Sequence, residues 1–180
     1  MSTLDHPAVA KVAAALVEAG QVRAAEGIRI LPDDARTAAQ AATALGVEVG
    51  AIANSLVFTA DISGHGEVGE VGEVALLALT SGAHRANTAT LARLAGAEEV
   101  GKADPDFVRR HTGQVIGGVA PVGHPSRLLT VVDTALREYD TVWAAAGHPK
   151  SVFPTTFEDL LRLTGGRAAD VASALDGTMP

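Results

Sequence analysis

One stretch of the chain combines residue types that could stabilise charge without a side-chain nucleophile. It reads Thr112-Gly113-Gln114-Val115-Ile116-Gly117-Gly118-Val119-Ala120-Pro121, followed closely by Gly123-His124. Glycine serves where a backbone bends tightly or must approach a ligand, and Pro121 fixes the exit direction. Such a loop can aim several N–H groups at one anionic or polarised oxygen. The plainer alternative is a structural turn between a helix and a strand. Its dense glycines, apolar middle and lack of charge favour the chemical reading.

Other candidates are weaker. Ser81-Gly82-Ala83-His84 sets a hydroxyl near an imidazole, but no Gly-x-Ser-x-Gly elbow is present, and a turn leaving a strand is the favoured reading. Asp133 ends an aliphatic run, where its carboxylate either caps the next turn or faces a site. The six histidines lack His-x-x-x-His spacing, so no metal is expected. A literal Gly-x-Gly-x-x-Gly occurs from Gly64 to Gly69, inside a Gly-Glu-Val repeat. A dinucleotide fold needs that motif to open a helix after a strand. Here a strand follows, and Glu67 and Glu70 would repel a pyrophosphate. The repeat reads as a solvated hairpin connection, and no cofactor is expected.

These residues need elements to position them. Helical spacing and capping signals predict helices over residues 7–19, 38–45, 87–94, 105–110 and 157–163. Strands are expected over 21–31, 51–59, 74–79, 99–102, 127–133 and 141–145, with a turn or short helix at 134–138. Short helices among many strands, without regular βαβ periodicity, indicate an α+β domain on one mixed, curved, barrel-like sheet with flanking helices. The 180 residues suffice for one domain, 1–180, with a weakly held tail over 168–180. Aromatics are only 3%, so the core must be built from Ala, Val and Leu.

Composition excludes some functions. Without cysteine there is no disulfide, thiolate metal site or Cys nucleophile. No apolar run approaches the ~20 residues of a membrane span, and the N-terminus lacks signal-peptide features. A cytoplasmic protein is the expectation. The balance of 14 basic against 21 acidic residues argues against a long nucleic-acid track, DNA included. Contact with RNA would be confined to a short end, or a partner protein would supply the grip.

The glycine run resembles the Gly-x-x-x-Pro loop of the YbaK/ProX-type aminoacyl-tRNA deacylases, the prolyl-tRNA editing family, with Gly117 and Pro121 as its ends. The resemblance extends in order from about Pro32 to Leu163. Residues 51–58 resemble the strand bearing the family's characteristic lysine, and residues 78–85 the strand and turn before the central helix. Residues 130–133 resemble the following strand with its aspartate, and residues 145–148 and 157–160 the closing strand and helix. The resemblance implies a YbaK-like fold, that of the prolyl-tRNA synthetase-associated domain. It also implies hydrolysis of the ester joining a wrong amino acid to a tRNA 3′ end. The loop and the substrate's ribose hydroxyl would then do the work that other hydrolases give to a side-chain nucleophile.

On that basis the backbone of Gly117, Gly118 and Val119 would form the oxyanion loop, and Asn54 would position substrate. Ser81, Gly82, His84, Gly113 and Pro121 would line the site, with Asp133 supporting it. The partners implied are the acceptor end of a mischarged tRNA and a synthetase (prolyl-tRNA synthetase) or elongation factor that presents it. One departure stands out: Asn54 occupies the place of the family's lysine. An amide hydrogen-bonds but carries no charge. No lysine of this chain is close in sequence, and His84 and Arg85 are the nearby candidates for the missing cation. The alternative is a catalytically weak module that binds aminoacyl-tRNA or a synthetase.

Overall fold

The structure is a computed structural model, and it describes residues 6–35, 37–62, 73–125 and 128–172. The first helix, α1 (Pro7–Glu18), starts at a proline whose missing N–H costs nothing there, and His6 Nδ1 accepts from the Ala8 N–H at 3.1 Å. Val9, Val12 and Leu16 recur on one face and are buried. Residues 21–31, expected to be one strand, split instead. Val22–Glu26 forms a helical turn, α2, and only Arg29–Ile30 forms strand β1. The reason is local: Ala24-Ala25-Glu26 favour helix, and Ala24 buries itself in the core shared with Val12 and Leu16.

Helix α3 (Ala38–Leu45) has the reciprocal Thr37–Gln40 capping box. It is followed by β2 (Ile52–Asp61), β3 (Glu73–Ser81) and α4 (Thr88–Ala95), which Asn87 caps. Next come β4 (Glu99–Lys102), α5 (Pro105–Thr112) capped by Asp104, and β5 (Leu129–Asp133). A 3-10 turn at Thr134–Glu138 leads to β6 (Val142–Ala145), β7 (Ser151–Thr155), α6 (Phe157–Thr164) and β8 (Arg167–Ala169). The Gly-Glu-Val repeat joins the antiparallel strands β2 and β3 and lies outside the described residues.

All eight strands join one mixed sheet in the order β1-β7-β6-β2-β3-β5-β8, with β4 added on β2. The sheet is open, with β1 and β8 at its ends; the expected mixed α+β architecture is present without a closed ladder. Residues 168–172 are held rather than loose: Ala168 and Ala169 pair with β5, and Val171 is fully buried. Residues 173–180 lie outside the described residues. Strand β7 had no counterpart in the sequence reading, because Pro154 argues against a strand. It is tolerated because β1 pairs only Ser151 and Val152 and stops short of it.

The sheet is buried on both faces. Leu77 and Leu79 of β3 join the core formed with α1, α5 and α6, whereas Leu76 and Ala78 face the opposite cluster with Leu91, Val100 and Val131. That double burial makes β3 an unbroken apolar run rather than an alternating one.

The feature that shapes the site is β2. One edge pairs continuously with β3, from Ala53 opposite Ser81 to Asp61 opposite Glu73. Its other edge is divided. Parallel β6 covers only Ile52 and Ala53, and antiparallel β4 covers only residues 58–61. Residues 54–57 therefore have a partner strand on the β3 side alone, among the described residues.

Candidate active site

A cavity of about 630 Å³ opens at that gap, within the usual range for small-ligand sites. Residues 54–57 of β2 line it, so part of an unpaired strand edge faces the hollow. Its walls are mainly apolar: Ala38 and Ala41 of α3, Ile52, Trp143 and Val152. The polar exceptions include Asn54, Ser55 and Thr37, and the charged ones are Arg85 and Lys102. No carboxylate among the described residues lines this cavity. Both cations are exposed, and neither has a carboxylate partner among the described residues.

The sequence-predicted residues divide among several places. Asn54, on β2, and Gly117, in the loop after α5, share the cavity. Gly117 has φ +90°, a conformation in which a side chain is strained, yet an added Cβ would meet open space. Beside it, Ile116 is 52% exposed and offers an apolar rim to the cavity mouth.

The rest of the loop turns inward. A Cβ on Gly118 would lie 2.5 Å from the His148 carbonyl carbon and 2.6 Å from the Pro149 nitrogen, so only glycine lets these backbones meet. Gly118 also accepts from the Gly147 N–H at 3.0 Å. Its own N–H donates to Val115 at 3.1 Å, which removes it from the expected set of oxyanion donors. Ala120 donates to Gln114 Oε1 at 2.7 Å. The N–H groups of Gly117 and Val119 have no partner among the described residues, and none of residues 117–120 lies in a strand. Two of the three expected amides thus remain free.

Gln114 organises this loop, a role that sequence reasoning missed. Its buried side chain takes the Ala120 N–H and donates through Nε2 to Val122 at 3.0 Å, stapling both ends of the turn. His124 Nε2 adds a 2.7 Å bond to the Ala120 carbonyl, which assigns the proton to that nitrogen. Burial lowers the His124 pKa below its ordinary value of 6.5, against the opposing pull of that hydrogen bond. The only signal in the sequence was an amide among glycines.

Ser81, Gly82, His84 and Asp133 do not line the cavity; they form a buttress at the far end of β3. Asp133 is fully buried, and its Oδ2 accepts from the Ser81 N–H at 3.0 Å and contacts His84 Nδ1 at 2.9 Å. Its Oδ1 takes the Ala135 N–H. Ser81 Oγ donates to the Gly50 carbonyl at 2.8 Å, and the Gly82 N–H to Ile52 at 2.8 Å. The cluster therefore anchors the start of β2, two residues before Asn54. With Asp170 it brings three ligand-type atoms within 4.8 Å of one another. Asp133's oxygens are already engaged by these donors, which suits a buttress better than a cation.

Gly113 and Pro121 also lie apart from the cavity. Gly113 ends α5 at φ +73° and lines a separate hollow, and Pro121 is buried at a third. Lys102, set aside because it is distant in sequence, enters the cavity wall because β4 pairs it with Phe58, four residues along β2 from Asn54.

An open mixed sheet with a mainly apolar cavity at a split ladder, and a glycine loop with the free Gly117 amide at its wall, defines an α+β domain equipped to hold a small polar-ended ligand. The chain belongs to the aminoacyl-tRNA editing domain family, which it matches over residues 32–163. The likeness read from the sequence therefore holds. Among solved structures it resembles a candidate trans-editing enzyme for prolyl tRNA synthetase, with 39% identity and a TM-score of 0.79. That match covers 93% of this chain and 98% of the other. It also resembles a protein from work grafting linear epitopes onto scaffolds, at 37% identity and TM-score 0.80, covering 94% and 99% of the two chains. A hypothetical protein aligns at 27% identity and TM-score 0.74, covering 91% and 99%. No helix among the described residues is long and apolar enough to cross a membrane.

Proposed function

We propose that this chain is a trans-editing deacylase that hydrolyses the ester between a wrong amino acid and the 3′ ribose of a tRNA. The observation that carries the reading is the free N–H of Gly117 at the wall of the cavity that also holds Asn54. Family membership and the likeness to a trans-editing protein support the same class of substrate.

Water adds to the ester carbonyl carbon, and the carbonyl oxygen becomes an oxyanion. The amide of Gly117, at the cavity wall, is the donor for that charge, worth about 3–4 kcal/mol when well aimed. Collapse breaks the bond to the ribose oxygen, which takes up a proton and leaves as a hydroxyl. The neighbouring ribose hydroxyl orients the water, so no Cys or Ser–His nucleophile is needed. Asn54 hydrogen-bonds the polar end of the substrate, while Arg85 and Lys102 supply positive charge that an amide lacks. The apolar wall around Ile52, Trp143 and Val152 sorts amino-acid side chains by volume. A single methylene is worth only ~1–3 kcal/mol in such a pocket, which is why synthetases need a separate editing step. A synthetase or elongation factor presents the charged tRNA.

Asn54 itself favours a second reading, a binding module that keeps the fold and recognises aminoacyl-tRNA with little turnover. The deciding experiment is deacylation of several mischarged tRNAs by wild type, Asn54→Lys and Gly117→Ala. Turnover by wild type that falls at least tenfold in Gly117→Ala, with the variant still folded by circular dichroism, supports hydrolysis through the loop. Binding without turnover on every substrate selects the second reading.

A further inference from the structure

A second hollow, of about 600 Å³, lies beside the cavity. It runs between the N-terminus of α1 and the C-terminal end of α5. Its ionisable residues among those described are Lys11, Arg109, His6 and His148, with no aspartate or glutamate among them. Lys11 and Arg109 are exposed and have no carboxylate partner among the described residues.

One further feature adds positive potential. The 12-residue α1 begins at the hollow through His6, Pro7 and Ala8, and its first turn carries no acidic residue to neutralise the helix dipole. The ring of His6 packs edge-on against His148 at 5.1 Å. His148 titrates below its ordinary value because of burial and because the His6 and Lys150 charges oppose its own.

The hollow is continuous with the cavity through one ridge. Pro149 lines both, and the loop divides between them, with Gly113, Gln114 and Val115 on the cationic side and Ile116 and Gly117 on the apolar side. A ligand spanning this ridge would need a polyanionic body and a small, largely apolar terminal group. We propose that the hollow bounded by Lys11, Arg109 and the α1 N-terminus seats the sugar–phosphate backbone of the tRNA acceptor end, which crosses the ridge to deliver its aminoacyl ester to Gly117. This rests on the editing reading above. It also reconciles an acidic chain with an RNA substrate: the grip is short and local, so it needs few cations.

The test is fluorescence anisotropy with an uncharged tRNA as the probe, read across a range of salt. Wild type is compared with Lys11→Glu/Arg109→Glu and with the charge-retaining Lys11→Arg/Arg109→Lys, each checked for folding by circular dichroism. The charge reversal should weaken binding at least tenfold. It should also flatten the slope of log affinity against log salt by roughly 1–2, since each phosphate contact contributes about 0.7–0.9. The charge-retaining pair should bind like wild type. Equal affinity and equal salt slope in the charge-reversed protein would overturn the proposal. Deacylation by wild type, run in parallel, separates the two claims. Charge-dependent binding without hydrolysis upholds the groove and removes the hydrolytic reading; hydrolysis with charge-independent binding removes the groove alone.

Discussion

At the cavity the residue that carries charge is not the one that sequence position would nominate. Asn54 stands where the family's lysine is expected, and Arg85 and Lys102 are the cations of the cavity wall. Both sit on exposed backbone without carboxylate partners among the described residues, so neutralising either removes charge without leaving a buried group unpaired. Replacing both with glutamine should therefore leave the thermal midpoint nearly unchanged while raising KM for a mischarged tRNA several-fold, with kcat less affected. Steady-state kinetics at two ionic strengths checks this, because a charge contact weakens in salt and an amide contact does not. The importance of Asn54 was legible from the resemblance. That of Lys102 was not, because a strand pairing some forty residues away in sequence brings it there.

Among the elements, the glycine loop and the divided edge of β2 decide the geometry. The loop holds its shape through Gln114, whose side chain satisfies Ala120 and Val122 at once. In Gln114→Leu the buried Ala120 N–H loses its acceptor, at a cost of about 1–3 kcal/mol. The expected outcome is a lowered thermal midpoint together with a larger loss of kcat than of substrate affinity, since the free Gly117 amide loses its aim. Calorimetry and single-turnover deacylation measure the two effects. The sequence marked where this loop lies and that glycines shape it. It could not mark which amides stay free, because Gly118 and Ala120 spend theirs on Val115 and Gln114 through contacts that exist only after folding. Helices α1, α3, α4, α5 and α6 were readable because caps and spacing act locally. Strand β7 was not, since what permits Pro154 is the shortness of its neighbour β1.

Across the whole molecule, stability depends on groups that fold into apolar surroundings neutral. The His124 and His148 pKa values are lowered in the fold, in both cases chiefly by burial. Between the ordinary value of 6.5 and the lowered native value, the unfolded chain binds protons that the native chain does not. Stability therefore rises with pH through that window, is fully present above 6.5, and is lost as pH falls below it. His124→Gln keeps a donor for Ala120 but cannot titrate, so its melting temperature should fall less between neutral and mildly acidic pH than that of wild type. Equal slopes in thermal melts of the two proteins would show that His124 does not set this dependence. The same scale sets two hollows on either side of one loop, each lined by two exposed cations and by no carboxylate among the described residues, although the chain as a whole is acidic.

By itself the sequence determined the α+β class, the family, five of the helices, the glycine loop and the anomaly at Asn54. Each of these follows from local spacing, capping or residue order, which need no distant partner. Tertiary structure alone decided that Asp133, Ser81, Gly82 and His84 bond to one another and to the start of β2 rather than line the cavity. It likewise decided that Lys102 reaches the cavity and that a gap between β4 and β6 creates it. Those outcomes depend on which strand edges find partners, and edge pairing joins residues whose separation along the chain carries no trace of their proximity in space.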